Sequence, residues 1–288
     1  MSHVLHRNIS ITVPTVKRAE GNYLIDDTGK RYLDASGGAA VSCLGHTNQR
    51  VIEAIKSQLD KVSFAHTGVF TNKPAEELAT YLIENAPVGF GSGRAMFLGS
   101  GSEAMEAALK LARQYHLERG DEKRAKIIAR DRSYHGNTLG ALATSGHKQR
   151  QMPFAPLLID VAHIPPCYAY RFKNDNENDQ DFGLRMANTL EEEILKQGPE
   201  TVAAFVVETV SGASLGAEPA VPGYFKRIRE ICDQYGILFV ADEVMCGIGR
   251  TGYLFAMEAD EACADSITIA RGLGAGFPPI TTPTETPT

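Results

Sequence analysis

The sequence predicts an α/β protein whose mainly parallel sheet is covered by helices on both faces, in a three-layer α/β/α arrangement. Two observations carry this prediction. From Arg94 onward, short apolar runs alternate with amphipathic helical patterns. Strand, helix, strand in this order indicates βαβ units and hence parallel neighbouring strands. In addition, polar clusters follow several apolar runs directly, which is where open α/β sheets bind their ligands.

The N-terminal stretch predicts a β-hairpin followed by two helices. Residues 21–26 and 30–34 flank turn-forming residues at 27–29. Asn48 then caps a helix with apolar residues at helical spacing. A second helix is expected over residues 72–85, with a proline in its first turn.

The remainder of the chain supplies the sheet and the helices that cover it. Strand-like runs lie at residues 95–98, 126–129, 157–159, 202–207, 237–241 and 266–270, and helical patterns lie at 103–119, 183–196 and 224–235. We therefore expect an N-terminal segment over residues 1–70 and a large domain over residues 71–280. Residues 281–288 are of low complexity without a core-forming pattern, which predicts a disordered tail.

Composition and charge exclude several function classes. The 288 residues are 43% hydrophobic and 22% charged, which is typical of a globular protein, and the net charge of −6 argues against a general nucleic-acid binder. The sequence has no run of about 18 apolar residues, so no membrane span is expected. The five cysteines are widely spaced, so neither a disulfide framework nor a zinc site is expected. A reducing, cytoplasmic location follows from this cysteine usage.

The first candidate site is the Gly/Ser turn between the run at 95–98 and the following helix. Ser100, Gly101 and Ser102 lie where backbone N–H groups and the positive end of a helix dipole can bind an anion such as a phosphate. The alternative is an ordinary helix cap, in which Ser100 and Glu103 form a capping box.

The second candidate site follows the run at 126–129. Tyr134 could stack on a flat ring, and His135 could position its polar substituents. The alternative is a structured turn that contains a buried tyrosine.

The third candidate site follows the run at 237–241. Asp242 and Glu243 stand together at a strand end, where an unpaired buried charge is expensive. One carboxylate facing a pyridine nitrogen would keep that nitrogen protonated. A metal site competes with this interpretation but ranks lower, because no third carboxylate or phosphate-loop lysine has useful spacing. Glu208 ends the preceding run and is expected to join the same polar network or to cap a helix.

Taken together, these motifs resemble those of the class III (omega-type) aminotransferases, which depend on pyridoxal phosphate (PLP) and have fold type I. The resemblance extends from about Gly21 to Ile280. It rests on the segments GNYLIDDTGKRYLDASGG, LGHTNQRVIEAI, GSGSEAMEAALKLAR, SYHGNT, ADEVMCGIGRTG and RGLGAG, and on Glu208, which lies between SYHGNT and ADEVMCGIGRTG.

The resemblance implies a role for each candidate residue. Gly101 and Ser102, with Ser100, would hold the cofactor phosphate. Tyr134 would stack on the pyridine ring with His135 beside it, and Val244 would pack on the opposite face. Asp242 would pair with the ring nitrogen, which makes the ring an electron sink. Glu208 would lie near the substrate side.

One residue departs from the family pattern. The family has a lysine directly before the segment GLGAG, where it forms a Schiff base with the cofactor and moves a proton, and this chain has Arg271 there. A guanidinium stays protonated and cannot perform either task, so Arg271 is expected to be inactive. The cofactor would then be held without a covalent link.

The resemblance also implies substrates and partners. The family transfers an amino group from an amine or amino acid to a keto acid or aldehyde, and its members are homodimers. Because family members continue past the lysine motif, we expect this chain to lack the C-terminal small domain, to be impaired as an enzyme, and to form a homodimer or pair with a full-length homologue. The alternatives are a non-catalytic protein that binds PLP or pyridoxamine phosphate (PMP), and a decayed gene product.

Overall fold

A computed structural model describes residues 3–260, 262–278 and 280–285. The chain divides into two compact units. The smaller unit consists of Met1–Phe64 with Ala275–Phe277, and the larger consists of Ala65–Gly274 with Pro278–Thr288.

The smaller unit contains an antiparallel three-stranded sheet and two helices: β1 (Val16–Glu20), β2 (Tyr23–Asp26), β3 (Arg31–Leu33), α1 (Gly37–Ala40) and α2 (Gln49–Leu59). The predicted hairpin is therefore present, with β1 as an additional strand. The side chain of Asp26 stabilises the turn of this hairpin. It accepts hydrogen bonds from the backbone N–H groups of Thr28 and Lys30, and from the side-chain hydroxyls of Thr28 and Tyr32. Asn48 caps α2, as the sequence predicted.

The larger unit contains the main sheet and the helices around it. Its helices are α3 (Lys73–Glu84), α4 (Gly101–Glu118), α5 (Leu139–Thr144), α6 (Lys148–Gln151), α7 (Ala169–Phe172), α8 (Asp179–Gln197), α9 (Tyr224–Tyr235) and α10 (Arg271–Gly274), with 3₁₀ turns at Met152–Leu157, Pro199–Thr201 and Ala256–Asp260. Its strands are β4 (Arg94–Ala95), β5 (Lys126–Arg130), β6 (Ala162–Ile164), β7 (Val202–Glu208), β8 (Leu238–Asp242), β9 (Ser266–Ile269) and β10 (Thr282–Glu285).

The seven strands have the order β4-β10-β9-β8-β7-β5-β6. From β9 to β6 every neighbouring pair is parallel, whereas β10 pairs antiparallel with both β9 and β4. The predicted mainly parallel sheet is confirmed. Parallel strands end at the same edge, so the residues that follow β5, β7 and β8 come together there.

Helices cover both faces of this sheet because successive strand residues point to opposite sides. Phe205 and Phe239 pack in one apolar cluster with residues of α8 and α9. Val206 and Val240, their neighbours in sequence, pack in the other with Met105 of α4. The predicted three-layer α/β/α arrangement is therefore confirmed.

Three sequence predictions need correction. Residues 281–285 are not a disordered tail, because Thr281 bridges to Leu98 and β10 adds a strand between β9 and β4. Threonine has a high strand propensity, and the buried hydroxyl of Thr281 donates to the carbonyl of Ile269 at 2.6 Å. Residues 286–288 lie outside the described residues.

The other two corrections concern strand positions. Residues 157–159 do not form a strand. They follow a 3₁₀ turn that contains Pro153 and Pro156, and proline cannot donate to a sheet ladder, so the strand falls at 162–164 instead. The run at 95–98 contributes only the short β4 and the bridge at Leu98.

Candidate functional site

Two buried carboxylates lie side by side at the carboxyl edge of the sheet. Glu208, the last residue of β7, is the register partner of Asp242, the last residue of β8. Both side chains are buried, at 5% and 4% exposure respectively. Such burial is tolerated only when each carboxylate has polar partners.

Asp242 is held by an imidazole and by a backbone amide. Its Oδ2 lies 2.7 Å from Nδ1 of His135, and its Oδ1 accepts a hydrogen bond of 3.0 Å from the N–H of Val244. The backbone N–H of His135 donates to the hydroxyl of Ser145, which fixes the imidazole in place. Within the described part of the chain, the buried Nε2 of His135 has no hydrogen-bond partner. This atom therefore retains the capacity to bind a further polar group.

Tyr134 lies beside this pair. Its backbone N–H points to Oε2 of Glu208 at 3.4 Å, and its half-buried ring carries the guanidinium of Arg150 at 4.7 Å from the ring centroid. Arg150 belongs to α6, which Gln151 anchors by hydrogen bonds to carbonyls of α5 and Ser145. The aromatic ring and a cation are thus brought together at this edge.

Glu208 accepts hydrogen bonds from the end of β5 and from the segment that follows β7. Its Oε1 accepts from the N–H of Gly212 at 2.9 Å, and its backbone carbonyl accepts from Arg130 at 2.7 Å. Burial raises the pKa of the Glu208 carboxyl, while the nearby His135 and Arg130 oppose that shift. The side chain therefore lies in the predicted network and helps to hold Tyr134.

The N-terminus of α4 has the helix cap that the sequence offered as an alternative to an anion site. Ser100 is the N-cap, and its hydroxyl accepts from the N–H of Glu103 at 3.2 Å while the Glu103 carboxylate accepts from Gly99. The arrangement is close to a capping box, except that the Glu103 carboxylate accepts from the backbone N–H of Gly99 and from the Ser100 hydroxyl. The hydroxyl of Ser102 instead contacts Asn137: it donates to Oδ1 of Asn137 and accepts from the backbone N–H of the same residue. The helix N-terminus is thereby joined to the turn that holds His135.

Two glycines make this junction possible. A Cβ on Gly101 would lie 2.8 Å from Cγ1 of Val244. A Cβ on Gly136 would lie 2.6 Å from the Ser102 hydroxyl, and Gly136 has a φ of +146°. Only glycine allows α4, the His135 turn and the Val244 segment to approach this closely.

The structure separates the two adjacent carboxylates that the sequence grouped together. Glu243 is fully buried and points away from His135, toward the 3₁₀ turn at Ala256–Asp260. Its oxygens accept from the N–H groups of Ala256 and Met257 and from the hydroxyl of Thr209. Burial raises the pKa of Glu243 to about 7, with the bonds from these three donors opposing the shift.

Arg271 begins α10, directly after β9. Its backbone N–H donates to the carbonyl of Val244 at 3.1 Å, so its main chain lies beside the segment that follows Asp242. In the part of the chain that the structure describes, no group of three or more metal-ligating side chains comes together. No described helix is long and apolar enough to cross a membrane.

Sequence reasoning missed several residues of this arrangement. Ser145, Asn137 and Arg150 contribute contacts to His135, Ser102 and Tyr134, but nothing in their local sequence marks them. The turn around Tyr134 was itself singled out, so Asn137 could have been examined as its neighbour. Ser145 and Arg150 reach the edge only because α5 and α6 fold back toward β5.

Comparison with known proteins identifies relatives over nearly the whole chain. The profile of the aminotransferase class-III family matches residues 4–286. An uncharacterised aminotransferase of Schizosaccharomyces pombe is 49% identical over 93% of this chain and 58% of its own length. The uncharacterised aminotransferase YodT of Bacillus subtilis is 40% identical over 97% of this chain and 62% of its own length. The chain therefore spans about three fifths of these relatives.

A solved structure shows the same fold. The omega transaminase of Pseudomonas jessenii in complex with PMP superimposes with a TM-score of 0.92 at 33% sequence identity. The match covers 99% of this chain and 64% of the transaminase. The predicted fold type I is confirmed.

Proposed function

The chain belongs to the class III aminotransferases, and on this premise we propose that it binds PLP without a covalent link and has an impaired form of the family's amino-group transfer. The observation that carries this proposal is the buried Asp242–His135 pair, which lies at the carboxyl edge of the sheet beside the N-terminus of α4. Class III aminotransferases use PLP.

The residues at this edge fit the noncovalent part of cofactor binding. A protonated pyridine nitrogen needs a buried anion, and Asp242 is one. Gly101 and Gly136 bring the N-terminus of α4, the His135 turn and Val244 together at this edge, because a Cβ on either glycine would lie within 2.8 Å of a neighbouring side-chain atom. The unpartnered Nε2 of His135 also supports a site for a polar group.

We assign the contacts as follows. Gly101 and Ser102 would hold the phosphate at the N-terminus of α4, with a smaller contribution from Ser100, whose hydroxyl already engages Glu103. Tyr134 and Val244 would pack on opposite faces of the pyridine ring.

The remaining contacts concern charge. His135 would orient Asp242 toward the ring nitrogen, and Glu208 would lie on the substrate side. When bound, the cofactor supplies an electron sink for negative charge that develops on the substrate carbon.

Arg271 is the residue that does not fit catalysis. It stands where the family resemblance expects the reactive lysine, and a guanidinium neither attacks an aldehyde nor accepts a proton at neutral pH. We infer that the cofactor stays noncovalent and that turnover is reduced. This residue also favours the second candidate function, a non-catalytic protein that binds PLP or PMP.

The substrate classes follow from the family: an amine or amino acid as donor and a keto acid or aldehyde as acceptor. One relative, the hypotaurine/taurine–pyruvate aminotransferase of Paracoccus denitrificans, is 39% identical over 90% of this chain. A homodimer, or pairing with a full-length homologue, is proposed as the assembly. The cytoplasmic location stays a prediction.

The proposal is tested by adding PLP to the purified protein and to Arg271→Lys, followed by borohydride reduction and peptide mass spectrometry. We expect saturable PLP binding to both proteins, but fixation only at position 271 of the variant. Fixation of PLP to a lysine of the unmodified chain would contradict the noncovalent proposal. Absence of binding to both proteins would contradict the PLP site altogether.

A matched control tests whether fixation of PLP depends on the position of the introduced lysine. Arg250→Lys introduces the same side chain in a different part of the larger unit, and we expect no fixation there. Amino transfer to pyruvate from an amine donor is then measured for all three proteins. We expect the rate of Arg271→Lys to exceed that of the unmodified chain, since only this variant gains a reactive amine.

A further inference from the structure

Glu243 anchors both ends of the loop at residues 243–257, which directly follows Asp242. At the start of this segment, the Glu243 carbonyl accepts from the N–H of Gly247 at 2.9 Å. At its end, the Glu243 carboxylate accepts from Ala256 at 2.7 Å and from Met257 at 2.8 Å. Between these points, residues 248–254 are joined by backbone hydrogen bonds of their own. One buried residue therefore closes the loop, through its backbone carbonyl at the start and its carboxylate at the end.

The Glu243 carboxyl is also tied to the neighbouring strand. The hydroxyl of Thr209, which follows β7, lies 3.1 Å from its Oε1. A hydroxyl can donate to a carboxylate or accept from a carboxylic acid. This contact can thus persist in either protonation state of Glu243, whose other bonds come from amides that can only donate.

The closed loop carries Val244 and directly follows Asp242, both of which belong to the candidate PLP site. Val244 lies directly after Glu243, its N–H donates to Asp242, and its carbonyl accepts from Arg271. The Val244 side chain lies against Gly101, so closely that a Cβ there would come within 2.8 Å. A shift of the loop would therefore move Val244 against α4 and alter the hydrogen bond that orients Asp242.

We propose that Glu243 is a positioning residue for the PLP site: by fixing the loop at 243–257, it holds Val244 and Asp242 in the arrangement that the cofactor requires. This inference rests on the proposed function. It assigns the two adjacent carboxylates different tasks, since Asp242 would contact the cofactor whereas Glu243 acts through the backbone on either side of it.

The test uses Glu243→Gln with Glu258→Gln as its matched control. The amides of Ala256 and Met257 donate to different oxygens of Glu243, and glutamine replaces one of these oxygens by a donor NH₂, so one amide loses its acceptor. Glu258 lies in the same turn and is exposed, and its Oε1 accepts from the N–H of Phe255. Thr209→Val removes a single bond to Glu243 and serves as a second variant if Glu243→Gln does not fold.

Two readouts are measured: hydrogen exchange without cofactor, and PLP affinity with the circular dichroism of bound PLP at saturation. In Glu243→Gln we expect exchange at Val244, Ala256 and Met257 to rise about tenfold and PLP affinity to fall about tenfold. The circular dichroism should change, because the ring environment changes. Thr209→Val should lower affinity about threefold, and Glu258→Gln should behave as the unmodified chain.

The outcomes separate the inference from the proposed function. Faster exchange at Ala256 and Met257 with unchanged PLP affinity and dichroism would overturn the inference and leave the PLP site intact. If the unmodified chain does not bind PLP, the proposed function fails. Exchange at Val244 then decides whether Glu243 holds this segment: an unchanged rate in Glu243→Gln overturns that role, and a raised rate supports it.

Discussion

Asp242 and Glu243 are neighbours in sequence, and both are buried, but the structure gives them opposite environments. Asp242 faces the imidazole of His135, whose Nε2 has no hydrogen-bond partner within the described structure, so hydrogen-bonding capacity remains beside Asp242. Glu243 faces two backbone amides and a hydroxyl that already occupy its oxygens. Burial of an acid therefore does not by itself identify a binding residue. The difference lies in whether hydrogen-bonding capacity remains around it.

A substitution of Asp242, beside which hydrogen-bonding capacity remains, should have the largest effect on PLP affinity. Asp242→Asn keeps an oxygen that can accept from Val244 but removes the charge proposed to face the pyridine nitrogen. Because hydrogen bonds to charged groups contribute about 1.5–3 kcal/mol, PLP affinity should fall by about 10- to 100-fold. Equilibrium dialysis measures this loss. An affinity within about twofold of the unmodified chain would show that Asp242 does not contact the cofactor.

A smaller effect is expected at the contact between α4 and Val244. Gly101→Ala places a Cβ 2.8 Å from Val244, and overpacking of this kind costs about 1–3 kcal/mol. Urea unfolding should show this loss, and dialysis should show weaker PLP binding. Gly99→Ala is the matched control, because the nearest atom to its Cβ is the movable carboxylate end of Glu103 at 3.0 Å. Equal stability of the two variants would contradict the close approach of Val244 to α4.

For Glu243, whose oxygens already have donors, we predict that the contribution to folding stability depends on pH. The pKa of Glu243 is raised by burial to about 7 from a usual value of 4.5, with Asp242 adding to the shift, and Cys246 also faces this carboxyl. The folded state then binds a proton more tightly than the unfolded state, so the contribution to stability is greatest below the unfolded pKa and is lost as pH rises toward 7.

The shift from 4.5 to about 7 sets an upper limit of about 3 kcal/mol on this loss, with the opposing effect of the three donors already included in that pKa. The measurement is the free energy of unfolding of the unmodified chain minus that of Glu243→Gln, followed from pH 5 to pH 8. We expect the difference to fall with pH. A difference that does not change with pH would mean that Glu243 has the same pKa in both states.

The smallest effect is expected at Ser100. Because its hydroxyl caps α4, Ser100→Ala should lower stability by about 1 kcal/mol. PLP affinity should change less than in Ser102→Ala, since the Ser100 hydroxyl already engages Glu103. A larger loss of affinity in Ser100→Ala would identify this residue as a main phosphate contact.

The parallel sheet and the strand-end position of Asp242 could be predicted from sequence because both depend on local patterns. Apolar runs alternate with helices, and polar residues follow the runs directly. The contact between His135 and Asp242 joins distant parts of the chain through the order of β5, β7 and β8, and no local pattern encodes that order.

Two other features could not be read from local sequence for different reasons. The partners of Glu243 are mainly backbone amides, which every residue possesses, so its environment has no signature in side-chain identity. The strand β10 has a low-complexity sequence, and its order comes from pairing with strands on both sides. In each case the information lies in the backbone of another segment.

The proposed site has the ring nitrogen of PLP against Asp242. Nuclear magnetic resonance of PLP labelled with ¹⁵N in the pyridine ring and bound to the unmodified chain tests this contact. We expect a protonated ring nitrogen at a pH where free PLP has lost that proton, and loss of this signal in Asp242→Asn. A deprotonated nitrogen in the unmodified complex, or the same signal in both proteins, would contradict it.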